Sequence, residues 1–462
     1  MSKLKPLLIS GKEVLPFIEG GKGISVSDGG SAGAWAAAGA VGTISGVMAD
    51  IRDSFGNLIP KVYEAKNRLD RQKELLKQCV QGAISQARIA YETSKGNGRI
   101  HINVMWEMGG TQQMLEEVLK GAKGMIHGVT CGAGMPFKLG EIAAKNGVFY
   151  YPIVSSSRAF KALWSRAYKN FSDFLGGVVY ENPWKAGGHD GFSSSDTPDI
   201  PKSSYEKLRE IRAALKEVGM GMIPIILAGG VWGLAEFKDW VDDPEIGPIA
   251  FQLGTRPILT VESPVGEAWK DKLMSIEEGE VKIQQFSPTG FYSSAVKNKF
   301  LDKMFARLET EMPYAKEPMD DKIHMLKDGI YVAEADKARA DGSIADGLVS
   351  VERTPDDTVV FVTKEDNDEM KTQRAACVGC ISQCRFSSWS QYTETGTTGK
   401  LPDPRSFCIS DSLYKIAHGG NVEDGILFSG SNGYKFKHDK LLQQGKLPTV
   451  RELIEDLKKD LA

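Results

Sequence analysis

The sequence lacks the features that mark exported, membrane-spanning or disordered chains. No stretch approaches the roughly 18 consecutive apolar residues that a membrane-spanning helix needs, and the first residues contain no apolar run typical of a secretory signal. With 41% hydrophobic and 25% charged residues, the 462-residue chain has enough apolar side chains for a sizeable core. We therefore expect a folded cytoplasmic protein, long enough for one large barrel and an appended module.

A strong excess of charge of one sign is also missing. The 57 basic and 60 acidic residues leave a formal net charge of −3. Broad electrostatic attraction to nucleic acid or to anionic lipid is therefore not expected. The charge balance argues against a nucleic-acid or membrane partner and favours a small-molecule substrate.

Cysteine is scarce, and its placement is uneven. Six cysteines cannot form a disulfide scaffold in a chain this long, yet four of them lie between residues 377 and 408. In a chain without an export signal, such a cluster favours metal ligation over disulfides. Cys377-x2-Cys380-x3-Cys384, with Cys408 as a fourth ligand, suits either a [4Fe-4S] cluster or tetrahedral zinc. Because zinc sites usually pair two Cys-x-x-Cys knuckles and only one is present, iron–sulfur is the preferred prediction and zinc the alternative.

Short apolar runs alternate with helix-like stretches up to about residue 260, as βαβ units require. Eight runs are near-continuous in apolar character, which is typical of strands covered on both faces: residues 14–19, 40–45, 100–105, 125–130, 148–153, 175–181, 222–228 and 248–253. The fingerprint G-x-G-x-x-G of an open dinucleotide-binding sheet is absent. Eight such strands predict an α/β fold of the (β/α)8 TIM barrel type over residues 1–310. The remainder, 311–462, is predicted to be a C-terminal Cys-rich module packed on the barrel.

Glycines stand at the ends of predicted strands seven and eight, where TIM-barrel enzymes often bind phosphate. Strand seven ends in Ala228-Gly229-Gly230-Val231, and strand eight ends in Gln252-Leu253-Gly254-Thr255. Glycines let backbone amides approach a phosphate closely, and Thr255 adds a hydroxyl group. Together the two elements predict a phosphate-binding site.

These elements resemble the A-G-G-I/V and Q-x-G-T motifs of the nitronate monooxygenase family and of related flavin-dependent enoyl reductases. The resemblance runs from about residue 15 to about residue 297 and includes Ala186-Gly187-Gly188-His189, similar to the family's A-G-G-H. It implies an FMN site formed by Gly20, Gly21, Asn103, Gly187, Gly188, Gly229, Gly230, Gln252, Gly254 and Thr255. It also implies that His189, expected at the end of strand six, is the catalytic residue near the flavin. Asp190 is a candidate to orient that histidine.

Two departures from the family pattern concern the surroundings of the flavin ring. The family's A-P-M element after strand one is replaced here by Glu19-Gly20-Gly21-Lys22-Gly23, and the acidic residue that often precedes A-G-G-H is replaced by Lys185. The side chains around the flavin are therefore expected to differ from the family's. The polar segment 191–204 after His189 is either a lid that contacts substrate or a surface insertion.

The sequence therefore predicts an FMN-dependent oxidoreductase that acts on a small activated substrate, either a nitronate or an α,β-unsaturated acyl compound. The cysteine spacing resembles that of iron–sulfur flavoenzymes related to dienoyl-CoA reductase and trimethylamine dehydrogenase, which implies an electron relay beside the FMN. NAD(P)H and a redox partner protein are candidate electron partners, and a homo-oligomer is compatible with the fold. A flavin-dependent enoyl reductase and a zinc-stabilised nitronate monooxygenase remain as alternatives. From other classes, so do an RNA-modifying flavoenzyme and a non-catalytic zinc-bearing module.

Overall fold

The computed structural model describes residues 4–65, 68–193, 195–318, 322–324, 329–377, 384–386 and 401–461. Eight parallel strands close into a barrel, and each overlaps one of the eight predicted apolar runs. In chain order the barrel strands are β1 (Phe17–Glu19), β2 (Val41–Ser45), β3 (Arg99–Met105), β4 (Gly128–Gly132), β5 (Phe149–Val154), β6 (Val178–Glu181), β7 (Ile225–Ala228) and β8 (Ile249–Leu253). Since β8 pairs with β1 and β6 pairs with β5, the sheet has no open edge, and the TIM-barrel prediction is confirmed.

Helices follow the first six barrel strands. They are α1 (Gly29–Ala37), α2 (Arg68–Ser94), α3 (Thr111–Gly121), α4 (Leu139–Lys145), α5 (Ser157–Arg166) and α6 (Ser204–Glu217), with a 3-10 stretch at Tyr168–Phe174. Side-chain oxygens of Asp28, Ser156 and Ser203 accept hydrogen bonds from backbone amides in the first turns of α1, α5 and α6. A 3-10 turn follows β7 at Ala235–Phe237, and another follows β8 at Arg256–Leu259.

Alternate strand residues pack in two separate apolar clusters, because successive side chains of a strand point to opposite faces. Ile18, Val179, Ile226 and Ala250 belong to a cluster made of strand and N-terminal hairpin residues, which fills the barrel interior. Phe17, Val178, Leu227 and Phe251 belong to the large cluster that also contains helix residues, which lies between the strands and their surrounding helices.

The N-terminal hairpin, Leu7–Ile9 with Lys12–Val14, closes the end of the barrel at which the strands begin. Ile9 and Val14 pack in the interior cluster. The hydroxyl of Ser10 lies 2.9 Å from Nε2 of His101 and 2.8 Å from the hydroxyl of Tyr151. This buried network belongs to the end of the barrel opposite the predicted site.

After the barrel the chain forms α7 (Glu267–Ser275) and then the strands Val281–Gln284 and Ser293–Val296. These two strands and Gly188–His189 make a small antiparallel sheet. The helix α8 (Lys299–Glu309) follows. A second antiparallel sheet combines Glu311–Pro313, Thr358–Val362 and Ser350–Arg353, and Lys322–His324 pairs with Tyr331–Ala333. Ala340 of α9 (Lys337–Ala345) packs in a separate apolar cluster that includes Met312 and Phe361. Met370 of α10 (Lys364–Ala375) packs with Val360 and Val362 in another.

From residue 401 the chain returns to the barrel. It forms α11 (Ile409–Ala417), a 3-10 stretch at Ser431–His438 and α12 (Val450–Lys459). Leu413 of α11 and Leu453 of α12 are buried in the barrel's large cluster. Within the described part of the chain, no helix is both long and apolar enough to cross a membrane.

Candidate active site

Two adjoining cavities lie at the carboxyl ends of the barrel strands. The larger has a volume of about 750 Å³ and the smaller about 50 Å³. All ten predicted cofactor-binding residues line one or both: Gly20, Gly21, Asn103, Gly187, Gly188, Gly229, Gly230, Gln252, Gly254 and Thr255. The barrel therefore brings together residues from β1, β3, β7, β8 and the segment after β6 at one place.

Glycines make up seven of the sixteen residues that line the small cavity. Gly229 and Gly230 have left-handed φ values of 82° and 84°, and a methyl group on Gly229 would lie 2.6 Å from the carbonyl oxygen of Asn182. A methyl group on Gly254 would meet no atom within 4 Å. The first two glycines are therefore required by the turn itself. Within the described residues no atom fills the space beside Gly254, so its bare backbone leaves room for a ligand.

A glycine-rich turn from the C-terminal part completes the small cavity. The amide of Gly430 donates a hydrogen bond to Oγ1 of Thr255 at 2.8 Å, and Nδ2 of Asn432 donates to the carbonyl oxygen of Gly230 at 2.6 Å. Both residues line the cavity. Sequence reasoning missed them, although the run Ser-Gly-Ser-Asn-Gly at 429–433 carried a turn signal.

The segment after β1, which departs from the family pattern, places Lys22 in the wall of the large cavity, where an ion pair neutralises its charge. Lys22 lines this cavity and forms an ion pair with Glu19, whose carboxylate is fully buried. Glu19 also accepts hydrogen bonds from Ser31 Oγ at 2.6 Å and from the amide of Thr43 at 3.3 Å. Next to Lys22, a methyl group on Gly21 would lie 2.1 Å from Nδ2 of Asn103, so a side chain at position 21 would displace Asn103.

His189 lies after β6 at the carboxyl ends of the strands, as expected, but it does not follow the strand directly. β6 ends at Glu181, because Pro183 has no amide for the strand ladder and Asn182 accepts a hydrogen bond from the amide of Trp184 at 3.0 Å, which begins a turn. His189 lies instead in the short strand Gly188–His189, which pairs with Ser293–Val296. It still lines the large cavity.

Burial determines the protonation state of His189, and its ring contacts one hydroxyl group. Its Nε2 lies 2.8 Å from Oγ of Ser287, which in turn lies 2.8 Å from Oγ1 of Thr289. Burial lowers the pKa of His189 to about 4. The imidazole is therefore neutral at physiological pH and suits the role of a hydrogen-bonding group or base better than that of a proton donor.

Asp190 does not orient His189. Its Oδ2 accepts a hydrogen bond from Ser294 Oγ at 2.8 Å, whereas its buried Oδ1 has no hydrogen-bond partner among the described residues. Burial raises the pKa of Asp190 to about 9, and that of Glu181, the last residue of β6, to about 7. Both residues line the large cavity. Sequence reasoning did not select Glu181, since a single carboxylate at a strand end carries no motif.

The polar segment after His189 contributes directly to the large cavity. Gly191, Phe192, Ser193 and Ser195 line it. The ring of Phe192 packs edge-on against Trp184, with ring centroids 5.2 Å apart, and against Tyr292 at the same distance. These contacts favour the substrate-contact interpretation over a surface insertion.

The predicted cysteine ligands are partly within the described residues. Cys384 is buried, Cys377 and Cys408 are half-buried, and all three pack against the large apolar cluster. Cys380 lies outside the described residues. Burial raises the pKa of Cys408 to about 12, and nearby Cys377 and Cys384 raise it further. Within the described ranges, no group of three or more His, Cys, Asp or Glu side chains is arranged to hold a metal ion.

Comparison with known proteins agrees with this architecture. FabK from Thermotoga maritima is 14% identical to this chain, with 96% of this chain and 92% of FabK covered and a TM-score of 0.51. Nitroalkane oxidase from Streptomyces ansochromogenes is 13% identical, with coverages of 97% and 95% and a TM-score of 0.50. At these identities the structural matches support the fold alone. The comparison with curated proteins gives no match.

The match to a family model is more specific than these structural matches. The model described as nitronate monooxygenase matches residues 8–460, nearly the whole chain. The match includes the barrel, the small sheet that carries His189 and the C-terminal turn that completes the small cavity. This chain therefore belongs to the nitronate monooxygenase family, whose members are flavin-dependent oxidoreductases.

Proposed function

We propose that this protein is an FMN-dependent oxidoreductase that acts on a small activated substrate. The observation that carries the proposal is the small glycine-walled cavity beside the large one, at the ends of β7 and β8. Bare backbone in such a cavity suits a phosphate group. The large cavity has a volume in the range of about 300–1,000 Å³ that is usual for cofactor and substrate sites. FMN combines a terminal phosphate with a flat ring, which matches this pair of cavities.

The chain's own residues divide between the two ends of that ligand. Gly229, Gly230, Gly254 and Thr255 would hold the phosphate, with Gly430 keeping the Thr255 hydroxyl in place. The larger cavity would take the flavin ring and, beyond it, the substrate. When bound, FMN would supply the two-electron oxidation–reduction chemistry that amino-acid side chains lack.

Gly254→Val tests the phosphate site without disturbing the turn. Its side chain would enter the space that no protein atom occupies, so FMN affinity should fall tenfold or more, by about 1.4 kcal/mol at least, while the fold persists. Gly342→Val in α9 is the matched control, because Gly342 also has open space around it and no left-handed φ. Isothermal titration of both variants with FMN is the measurement. Unchanged FMN affinity in Gly254→Val would contradict the proposed site.

Two substrate classes fit the proposal, a nitronate and an α,β-unsaturated acyl compound. Each is a small conjugated molecule that a flavin can oxidise or reduce, and the cavity wall offers neutral His189 as a polarising group. The enoyl reductase alternative needs a reduced donor such as NAD(P)H. Turnover assays with a nitronate plus oxygen, and with an enoyl thioester plus NAD(P)H, distinguish the two classes.

We also propose a [4Fe-4S] cluster at Cys377, Cys380, Cys384 and Cys408, with zinc as the alternative. The x2-x3 spacing supports it, and Cys377 and Cys384 are near enough to Cys408 to contribute to its raised pKa. Thiols that crowd together in a buried place are costly as free thiolates, and a metal centre removes that cost. A cluster there would pass electrons one at a time between the flavin and an external partner.

Metal analysis of anaerobically purified protein tests this second proposal. Iron and acid-labile sulfide should each approach about four per chain, and Cys380→Ser should lose both. Cys79→Ser is the control, because Cys79 is buried beside Met48 and lies apart from the predicted ligands. One zinc per chain without labile sulfide would establish the alternative and remove the redox role.

A further inference from the structure

Two carboxyl groups in the wall of the large cavity have no role in the site as proposed. Glu181 is the last residue of β6 and lines both cavities, whereas Asp190 follows His189 and lines the large one. Within the described residues no cation contributes to the ionisation of either carboxyl. An enzyme site rarely keeps unpaired carboxyl groups out of water unless their protons are used.

The two carboxyls lie close together. A methyl group on Gly191, the residue after Asp190, would lie 3.9 Å from Oε2 of Glu181, so the side chain of Glu181 extends to the backbone beside Asp190. Asp190 is only 2% exposed, and its buried Oδ1 has no partner in the part of the chain that the structure describes. A carboxyl in this position is far more stable when protonated than when charged.

The surroundings give the two carboxyl groups different pKa values. Burial raises the pKa of Glu181 to about 7, and burial together with the charge of Glu181 raises the pKa of Asp190 to about 9. At neutral pH Asp190 is therefore neutral, whereas Glu181 exists in both forms. The other titratable groups that line the two cavities are Lys22, Arg158, Lys185, His189, Lys207 and Glu210.

None of these groups supplies a charge partner for Glu181. Lys22 is paired with Glu19, and Lys207 is paired with Glu210 at 3.1 Å. Arg158 and Lys185 are exposed. His189 is neutral at physiological pH and has its Nε2 at Ser287, so it holds few protons to give. Glu181 is the cavity-facing group whose proton is both present and exchangeable near neutrality.

We propose that Glu181 is the residue that gives a proton to the substrate and that Asp190 is a positioning residue that acts through Glu181. This inference rests on the proposed function and concerns the α,β-unsaturated acyl class. A nitronate is an anion and would be repelled by the carboxylate form of Glu181, whereas a neutral enoyl compound is not. The arrangement therefore favours reduction of a conjugated double bond.

Reduction of the double bond adds one hydride equivalent and one proton to the substrate, and the protein supplies the proton. Saturating the double bond takes a hydride equivalent at the β-carbon, which bound FMN would supply once a nicotinamide-type donor has reduced it. The electron pair of the former π bond then forms a C–H bond at the α-carbon with the proton of Glu181, whose O–H bond breaks. The Glu181 carboxylate afterwards recovers a proton from solvent, and neutral Asp190 keeps the pair from carrying two charges.

Glu181→Gln tests the proposal by turnover. The amide has the shape of a carboxyl but no transferable proton, so kcat for an enoyl thioester should fall about 10²–10⁴-fold, with little change in KM. The kinetic inflection near pH 7 should vanish in this variant and persist in His189→Ala. Glu206→Gln on the exposed face of α6 is the control for a lost carboxylate. An inflection that survives in Glu181→Gln would overturn the assignment.

Infrared titration of the flavin-free protein gives a readout that does not depend on activity. The wild-type protein should show protonated-carboxyl bands that disappear near pH 7 and near pH 9. Glu181→Gln should lack the first band and show the second at lower pH, because the charge that opposes ionisation of Asp190 is gone. Asp190→Asn should lack only the second. Bands that titrate only near pH 4 in the wild type would overturn the proposal.

Different results contradict the proposed function and the role of Glu181. If the wild-type protein binds no FMN, the proposed function fails whatever the carboxyl groups do. If the wild-type protein and Glu181→Gln both bind FMN and Glu181→Gln keeps full enoyl turnover, only the role of Glu181 fails.

Discussion

At the scale of single residues, burial determines what His189 can do. A histidine with an ordinary pKa near 6.5 loses its proton in the physiological range, but burial lowers the pKa of His189 to about 4. The folded protein therefore holds this imidazole neutral above about pH 4, and stability falls as the pH drops from 6.5 toward 4, where the unfolded chain binds the proton. Its function must be one that a neutral ring performs, through its contact with Ser287 and its exposure to the cavity.

His189→Ala should keep FMN and lose turnover. The residue lines the large cavity but not the small glycine-walled one, so flavin retention should be unchanged. Turnover should fall about 10²–10⁴-fold because substrate polarisation is lost. Flavin absorbance of the purified variant and steady-state kinetics between pH 5 and 9 are the measurements. A turnover number equal to wild type would make His189 a structural residue.

At the scale of elements, Arg212 attaches α6 to the barrel. Its guanidinium is fully buried and donates hydrogen bonds to the carbonyl oxygens of Gly221 at 2.7 Å, Ile223 at 2.8 Å and Pro248 at 2.9 Å, and also to that of Ile246. These carbonyls lie just before β7 and β8. The contacts connect one helix to the two strands that carry the predicted phosphate site.

Arg212→Met should reduce the free energy of unfolding by about 3 kcal/mol or more, because several buried carbonyls lose their donor at once. The apolar replacement fills the site but donates nothing. Arg209→Met on the same helix is the control, since Arg209 makes exposed ion pairs with Glu206 and Glu245 and lies over the ring of Tyr205 at 5.8 Å, all at the surface. Chemical denaturation of both variants measures the difference. Equal stability of the two would show that α6 is held by apolar packing alone.

The barrel elements were predictable because their signals are local. Near-continuous apolar runs such as 225–228 indicate strands buried on both faces, and the stripe of Leu208, Ile211 and Leu215 predicts α6. The short strand that carries His189 was not predicted. It depends on pairing with Ser293–Val296, about a hundred residues later in the chain.

At the scale of the whole molecule, the C-terminal third takes part in the site. Arg256, next to Thr255, pairs with Asp439 at 2.7 Å and with Asp456 of α12 at 2.7 Å. The glycine motifs at 229–230 and 254 were recognisable because each stands at a strand end. Gly430 and Asn432 were not, because nothing local indicates that the chain returns to the barrel after residue 401.

FMN binding by the wild-type protein, compared with riboflavin binding, tests the central claim most directly. The phosphate is the only chemical difference between the two ligands, and the small glycine-walled cavity is the place assigned to it. We expect one FMN per chain and riboflavin bound at least about tenfold more weakly, a difference of about 1.4 kcal/mol. Equal affinity for the two flavins, or binding of neither, would contradict the account.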